Sequence, residues 1–141
     1  MERNDYNKPY MLEQWFSLKE LMDEKAQQGK KIPKITEAEV WWVAVGENIG
    51  IEMNGKSEFF SRPTIIFKKL NHLAFMGIPL SAKGKDDSWH VSFEFQNKRV
   101  YAALSQARVF STARLYSRLG EVTEGNMKKI REGFRNLYIG G

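Results

Sequence analysis

The stretch that decides the fold runs from Gly46 to Leu80 and reads GENIGIEMNGKSEFFSRPTIIFKKLNHLAFMGIPL. A polar, glycine-containing loop leads to Arg62-Pro63, and the β-branched run that follows predicts a strand over 64–70. Proline fixes its own φ and keeps the residue before it extended, so Arg62 is expected at the mouth of this strand. A guanidinium in that place suits a phosphate group, although the same pattern also fits an ordinary surface arginine.

The composition limits the classes of protein and of site. The 141 residues suffice for one domain with a hydrophobic core. The absence of cysteine excludes disulfides and thiol nucleophiles, and two histidines are too few for a histidine-rich metal site. We therefore expect no metal and no cofactor. A net charge of +5 favours a polyanionic partner. Because no apolar run is long enough for a membrane span or a signal peptide, we expect a soluble cytoplasmic protein.

An apolar stripe at helical spacing predicts an N-terminal helix. We expect this helix to pack on its own domain and to cover one face of the apolar strand Val40–Val45, where Trp41 and Trp42 are expected in the core. The alternative is that the helix serves a dimer or a partner protein. The stripe consists of Tyr10, Met11, Trp15, Leu18 and Met22.

The rest of the chain alternates between apolar and polar residues and then turns helical. Strands are predicted over 64–70, 74–80, 88–95 and 99–106, the last extended by 107–110, with Trp89 pointing inward and His90 exposed and inert. A short helix capped by Ser111 and stopped by Gly120, then a longer helix capped by Thr123, are predicted at the end. This order favours an α+β fold: a small, closed, SH3-like antiparallel barrel with C-terminal helices and an added N-terminal helix.

Few side chains could carry chemistry. Ser81 ends a strand, so its hydroxyl is expected near Arg62, although a loop-capping serine fits the same pattern. Such a pair can supply the electrostatic part of RNA cleavage, because the attacking 2′-hydroxyl belongs to the substrate and the protein has to position the phosphate, stabilise its charge and help to move protons. For the loop residues the alternative is a solvated surface. The candidates are Glu52, Arg62, Ser81, Lys83, Lys85, Gln106 and Arg108.

Four segments together resemble the MazF/PemK family of bacterial toxins from type II toxin–antitoxin systems. The segment EVWWVAVGENIGIE resembles the opening strand and G-x-E segment of that family, and SRPTIIF resembles its R-P-hydrophobic strand. The segment GIPLSAK resembles the strand that ends in a hydroxyl residue, and ALSQARVFSTARL resembles the Q-x-R segment. The resemblance spans 39–138, so the chain divides into an N-terminal helical extension, 1–38, and a barrel domain, 39–141.

The resemblance implies a homodimeric, metal-independent endoribonuclease that cleaves single-stranded RNA. The expected products are a 2′,3′-cyclic phosphate and a 5′-hydroxyl, and a cognate antitoxin is expected to neutralise the protein. By position, Arg62 and Ser81 correspond to the catalytic arginine and hydroxyl of the family. Glu52 corresponds to its loop glutamate, as a general base or RNA contact, and Gln106 with Arg108 corresponds to its Q-x-R pair. Lys83 and Lys85 are expected to bind RNA.

The chain departs from the family where some members carry a catalytic acid. Ser105 stands directly before the Q-x-R glutamine, where an aspartate or glutamate occurs in those members. The general base is therefore unassigned. Two alternatives stay open: a non-catalytic barrel that binds a protein target such as DNA gyrase, as some relatives do, and an inactive RNA-binding relative.

Overall fold

The computed structural model describes residues 7–27, 32–56 and 60–140, in which seven strands lie between two helices. Two short 3₁₀ turns, at Leu104–Gln106 and Thr112–Arg114, separate the last three strands. The elements are α1 Lys8–Gln27, β1 Glu39–Ala44, β2 Ser61–Asn71, β3 Ala74–Ser81, β4 His90–Phe95, β5 Lys98–Ala103, β6 Arg108–Ser111, β7 Leu115–Glu121 and α2 Glu124–Tyr138.

The strands form one antiparallel, barrel-like sheet in the order β4-β5-β3-β2-β1-β7, with β6 also paired to β3. Strand β3 pairs with β6 along 74–77 and with β5 at Leu80 and Ser81, so the sheet curls around it. The predicted fold class is confirmed, but the expected closure of the barrel is wrong. In the described part of the chain β4 and β7 are the two ends of the path, and the side chain of Gln96 donates to the Leu119 carbonyl across the gap.

The sheet buries an apolar cluster on each face because neighbouring residues of a strand point to opposite sides. Ile65 joins the cluster that α2 covers through Met127 and Ile130, whereas Ile66 joins the cluster on the opposite face. The predicted longer helix is confirmed as α2, and its predicted cap Thr123 accepts a hydrogen bond from the Asn126 amide at 3.2 Å. The core thus fixes the sheet against the C-terminal helix.

Helix α1 packs on the barrel through Trp15, and the partly buried side chains of Met11, Leu18 and Met22 pack against the same cluster. Trp15 is 5% exposed and lies against Ala44 and Phe60, with 5.6 Å between the two ring centroids. The expectation that α1 packs on its own domain is therefore confirmed. The helix lies against the end of β1, at Ala44, rather than along one face of that strand. The predicted stripe is also narrower than expected, because Tyr10 is 53% exposed.

The predicted short helix at 111–119 is wrong. Ser111 caps only a 3₁₀ turn, where its side chain accepts from the Ala113 amide at 3.2 Å. The chain then continues as β7, which pairs with β1, and Leu115 is buried opposite Val43. Pairing with a buried strand and burial of an apolar side chain outweigh the local preference for helix.

Two strand boundaries also differ from the prediction. Strand β2 begins at Ser61, which forms a bridge with Lys56, so Arg62 lies inside the strand rather than before it. Strand β5 ends at Ala103, and the 3₁₀ turn at Leu104–Gln106 interrupts the predicted continuous strand.

Candidate functional site

Arg62 and Ser81 lie at adjoining ends of two neighbouring strands. Thr64 lies opposite Pro79 in the β2–β3 ladder, and Ile65 lies opposite Ile78. Continued towards the strand ends, this register brings Arg62 opposite Ser81, and opposed residues of an antiparallel pair share a face of the sheet. Both line one open cleft of about 510 Å³. We call it the Ser81 cleft. Its other lining residues include Trp42, Pro63, Leu80, Phe95 and Lys98.

The loop before β2 holds the Arg62 side chain. Arg62 Nε donates to the Asn54 carbonyl at 2.6 Å. The Asn54 side chain in turn accepts from the Asn48 amide at 2.6 Å, and the Gly55 amide donates to the Gly46 carbonyl at 2.7 Å. The guanidinium is thus anchored to a loop that is itself internally bonded, which favours a fixed position for a phosphate ligand.

A second cleft, of about 440 Å³, lies on the other side of Arg62. We call it the His90 cleft. Arg62 and Lys56 line both clefts, whereas Ser105 and Gln106 line only the second of the two. Arg62 therefore stands where the two clefts adjoin.

Each cleft contains an exposed tryptophan that was expected in the core. Trp42 lines the open Ser81 cleft together with Arg62 and Pro63 and is 37% exposed, whereas its neighbour Trp41 is buried. Trp89 is 52% exposed in the His90 cleft, because β4 begins only at His90 and the residue before it lies outside the ladder. The prediction is confirmed for Trp41 and wrong for Trp42 and Trp89.

Glu52, Gln106 and Arg108 line a third, smaller groove of about 220 Å³. Gln106 ties down the loop, since its Oε1 accepts from the Met53 amide at 2.8 Å and its Nε2 donates to the Ile51 carbonyl at 3.2 Å. The Glu52 carboxylate accepts from a backbone amide of its own loop at 3.0 Å and lines neither cleft at Arg62. The Arg108 guanidinium lies over a phenylalanine ring, 4.7 Å from its centroid.

Ser81 begins the loop that carries the two lysines. Its hydroxyl oxygen accepts from the Lys83 amide at 3.2 Å, which is the loop-capping bond that strand-end serines commonly make. A hydroxyl that accepts one bond can still donate its hydrogen to another group. Lys83 and Lys85 are exposed on this loop and line none of the three grooves.

His90 is the functional candidate that the strand alternation missed. Its side chain is 21% exposed, and Nδ1 lies 2.8 Å from Asp87 Oδ1. This hydrogen bond lowers the pKa of the exposed Asp87 carboxyl below its ordinary value. His90 lines the second cleft together with Arg62, and it is only partly exposed, unlike the exposed histidine that the strand alternation predicts. An aspartate three residues before a histidine at a strand start was the available signal.

Two further findings concern the described residues alone. Among 7–27, 32–56 and 60–140, no group of histidine, aspartate and glutamate side chains is placed to hold a metal ion. Within the same ranges no helix has the length and apolar character needed to cross a bilayer.

Comparison with known proteins gives a family and a fold. Residues 36–138 match the model of the PemK-like, MazF-like toxins of type II toxin–antitoxin systems. Among solved structures, the chain is similar to an endoribonuclease in complex with its cognate antitoxin from a mycobacterial species, with 15% identity, a TM-score of 0.58, and coverage of 73% of this chain and 93% of that chain.

Two other structures are similar in the same way. A MazF from Deinococcus radiodurans shares 13% identity with a TM-score of 0.58, over 77% of this chain and 97% of that chain. A MazF toxin from Mycobacterium tuberculosis shares 9% identity with a TM-score of 0.55, over 72% of this chain and 96% of that chain. No curated protein sequence matches the chain significantly. At these identities the structural likeness shows the fold alone.

Proposed function

Because the chain belongs to the PemK-like, MazF-like family of type II toxins, whose model covers residues 36–138, we propose that it is a toxin that cleaves single-stranded RNA. In this proposal the 2′-hydroxyl next to the scissile phosphate attacks the phosphorus, and the 5′-oxygen leaves. The products are a 2′,3′-cyclic phosphate and a 5′-hydroxyl, and no metal takes part.

The observation that carries the proposal is the shared cleft of Arg62 and Ser81. A guanidinium offers two donors in a plane that match two phosphate oxygens, and a hydroxyl offers one more donor at the same group. Donors placed where charge develops lower the barrier, since they are already oriented before the reaction begins. The bond from Arg62 to the Asn54 carbonyl supports this preorganised position.

The surroundings of Arg62 suit single-stranded RNA. Exposed tryptophans stand on both sides, Trp42 in one cleft and Trp89 in the other. Aromatic rings that stack unpaired bases next to a cation that binds the phosphate are typical of single-strand binding. A duplex cannot present its bases in this way, because they are stacked and paired within the helix.

The remaining family positions are assigned to contacts along the RNA strand. Gln106 and Arg108 continue the binding surface into the third groove, where Glu52 also lies. Lys83 and Lys85, exposed on the loop after Ser81, attract the flanking phosphates. Glu52 is assigned to an RNA contact rather than to the base, because its carboxylate lines neither cleft at Arg62.

We further propose a homodimer and a cognate antitoxin as partners. One similar structure is an endoribonuclease in complex with its cognate antitoxin, and another is a MazE–MazF complex from Deinococcus radiodurans. For this chain the net charge of +5 favours an acidic partner. Sedimentation of the purified protein gives its oligomeric state directly.

The mechanism is tested with two matched oligonucleotides in EDTA. One is all RNA, and the other carries a single deoxy substitution at the mapped cleavage position. We expect cleavage of the first only, with a 2′,3′-cyclic phosphate at the new end, because the deoxy substrate lacks the nucleophile. Equal cleavage of both would show that activated water attacks, and loss of cleavage in EDTA would show that a metal is needed.

A further inference from the structure

The His90 cleft presents an imidazole held by a carboxylate. Asp87 Oδ1 lies 2.8 Å from His90 Nδ1 and also accepts from the Trp89 amide at 2.9 Å, so the carboxylate is itself fixed. A histidine whose Nδ1 is bonded to a carboxylate keeps one orientation and one tautomer, and its Nε2 is the nitrogen that can exchange a proton with a ligand. The pair thus has the geometry of a positioned proton acceptor.

The charges around Arg62 leave few other proton acceptors. The ionised side chains of the described residues that line the two clefts are the cations Lys56, Arg62 and Lys98. Ammonium and guanidinium groups are protonated at neutral pH and cannot accept a proton. Among the described lining residues of both clefts, His90 is the one whose side chain carries a basic nitrogen outside an ammonium or guanidinium group.

We propose that His90, oriented by Asp87, is the general base of the cleavage reaction. This rests on the proposed endoribonuclease function and supplies the base that Ser105 cannot supply at its family position. His90 Nε2 takes the proton of the 2′-hydroxyl while the 2′-oxygen forms its bond to phosphorus. The bond from phosphorus to the 5′-oxygen breaks, that oxygen takes a proton from water, and the resulting hydroxide removes the proton from the imidazolium.

Charged and titratable groups reach His90 from several elements. Asp87 faces it from the preceding loop, and the Tyr101 ring on β5 meets it edge to face with 6.3 Å between centroids. Arg62 of β2 and Lys56 of the loop share its cleft. On the α2 side, Lys129 binds the Ser92 carbonyl of the same strand at 3.1 Å.

The test compares His90→Gln with His72→Gln. His72 is the only other histidine of the chain and is exposed in the turn between β2 and β3, so it controls for the loss of an imidazole elsewhere. kcat/KM of the wild type and of both variants is measured from about pH 5 to 8, the range in which imidazole titrates. Thermal unfolding of each variant shows that it is folded, and His90→Ala is assayed with and without added imidazole.

We expect the wild type and His72→Gln to gain about tenfold in kcat/KM per pH unit on the acid side, and His90→Gln to lose about 10²–10⁴-fold together with that dependence. Added imidazole should restore part of the His90→Ala activity. A folded His90→Gln that retains the wild-type rate, or one that loses rate but keeps the acid limb, would overturn the assignment. In either case cleavage by the wild type and its loss in Arg62→Ala would leave the endoribonuclease function standing, whereas an inactive wild type would contradict that function itself.

Discussion

Replacement of Trp15 by alanine tests how α1 is attached to the barrel. The ring is 5% exposed and packs against Phe60, and the Arg114 guanidinium lies 5.5 Å from its centroid. A Cβ built on Gly46 would lie 2.4 Å from the ring, so the tryptophan fills the space beside this glycine. Removing a buried tryptophan leaves a cavity of its own size, and we expect Trp15→Ala to lower the free energy of unfolding by about 3–5 kcal/mol.

The same helix offers a matched control. Phe16 is the next residue along α1 and is 64% exposed, so Phe16→Ala should change the free energy of unfolding by less than about 0.5 kcal/mol. Urea denaturation of both variants at two protein concentrations, with sedimentation alongside, separates stability from association. Equal effects of the two substitutions would refute the packing of α1 through Trp15. Unchanged monomer stability with loss of a dimer would place the helix at a subunit interface instead.

Two further predictions concern one side chain at the site and one ion pair outside it. Ser81→Ala should lower the kcat of RNA cleavage by about 10–100-fold, whereas Ser81→Thr should keep most of the activity, because only the first substitution removes the hydroxyl. If Ser81→Ala cleaves as fast as the wild type, Ser81 is only a loop cap. Burial acts to raise the pKa of the Glu39 carboxyl, but the bond from Arg118 at 2.6 Å and bonds from Thr36 and Trp41 outweigh it, so the pKa is lowered in the folded state. A lowered folded pKa stabilises the protein above the unfolded pKa, and this stabilisation is lost as the pH falls through the folded pKa. Arg118→Met should therefore destabilise the protein at pH 7 and have little effect at a pH low enough to protonate Glu39 in the folded state. An equal loss at both pH values, measured by urea denaturation, would show that packing rather than charge is responsible.

The parts of the fold that follow from local rules were predictable from the sequence. The spacing of Trp15 and its neighbours indicated α1, and the run after Pro63 indicated β2. Arg62 and Ser81 were expected together because one opens a strand and the other ends the next. The structure places them in one cleft, since β2 and β3 form a hairpin in which those two ends coincide.

The failures occur where distant parts of the chain decide the outcome. The sequence of β7 taken alone predicts a short helix. The segment forms a strand because it pairs with the edge of β1 that β2 leaves unpaired. Trp42 and Trp89 look like core residues because tryptophan is apolar, but an open cleft beside Arg62 leaves them exposed. The strand alternation predicts an exposed His90, but alternation describes the two faces of a strand and not which face lines a cleft.

The proposed cleavage of RNA depends most directly on Arg62. The decisive measurement is the rate of RNA cleavage by Arg62→Ala beside the wild type, with Arg135→Ala, an exposed arginine on α2, as the control. We expect Arg135→Ala to cleave like the wild type, Arg62→Ala to lose about 3–4 kcal/mol of transition-state stabilisation with its fold intact, and Arg62→Lys to recover little of it, because an ammonium cannot bind two phosphate oxygens in one plane. A folded Arg62→Ala that cleaves RNA at the wild-type rate would contradict the account.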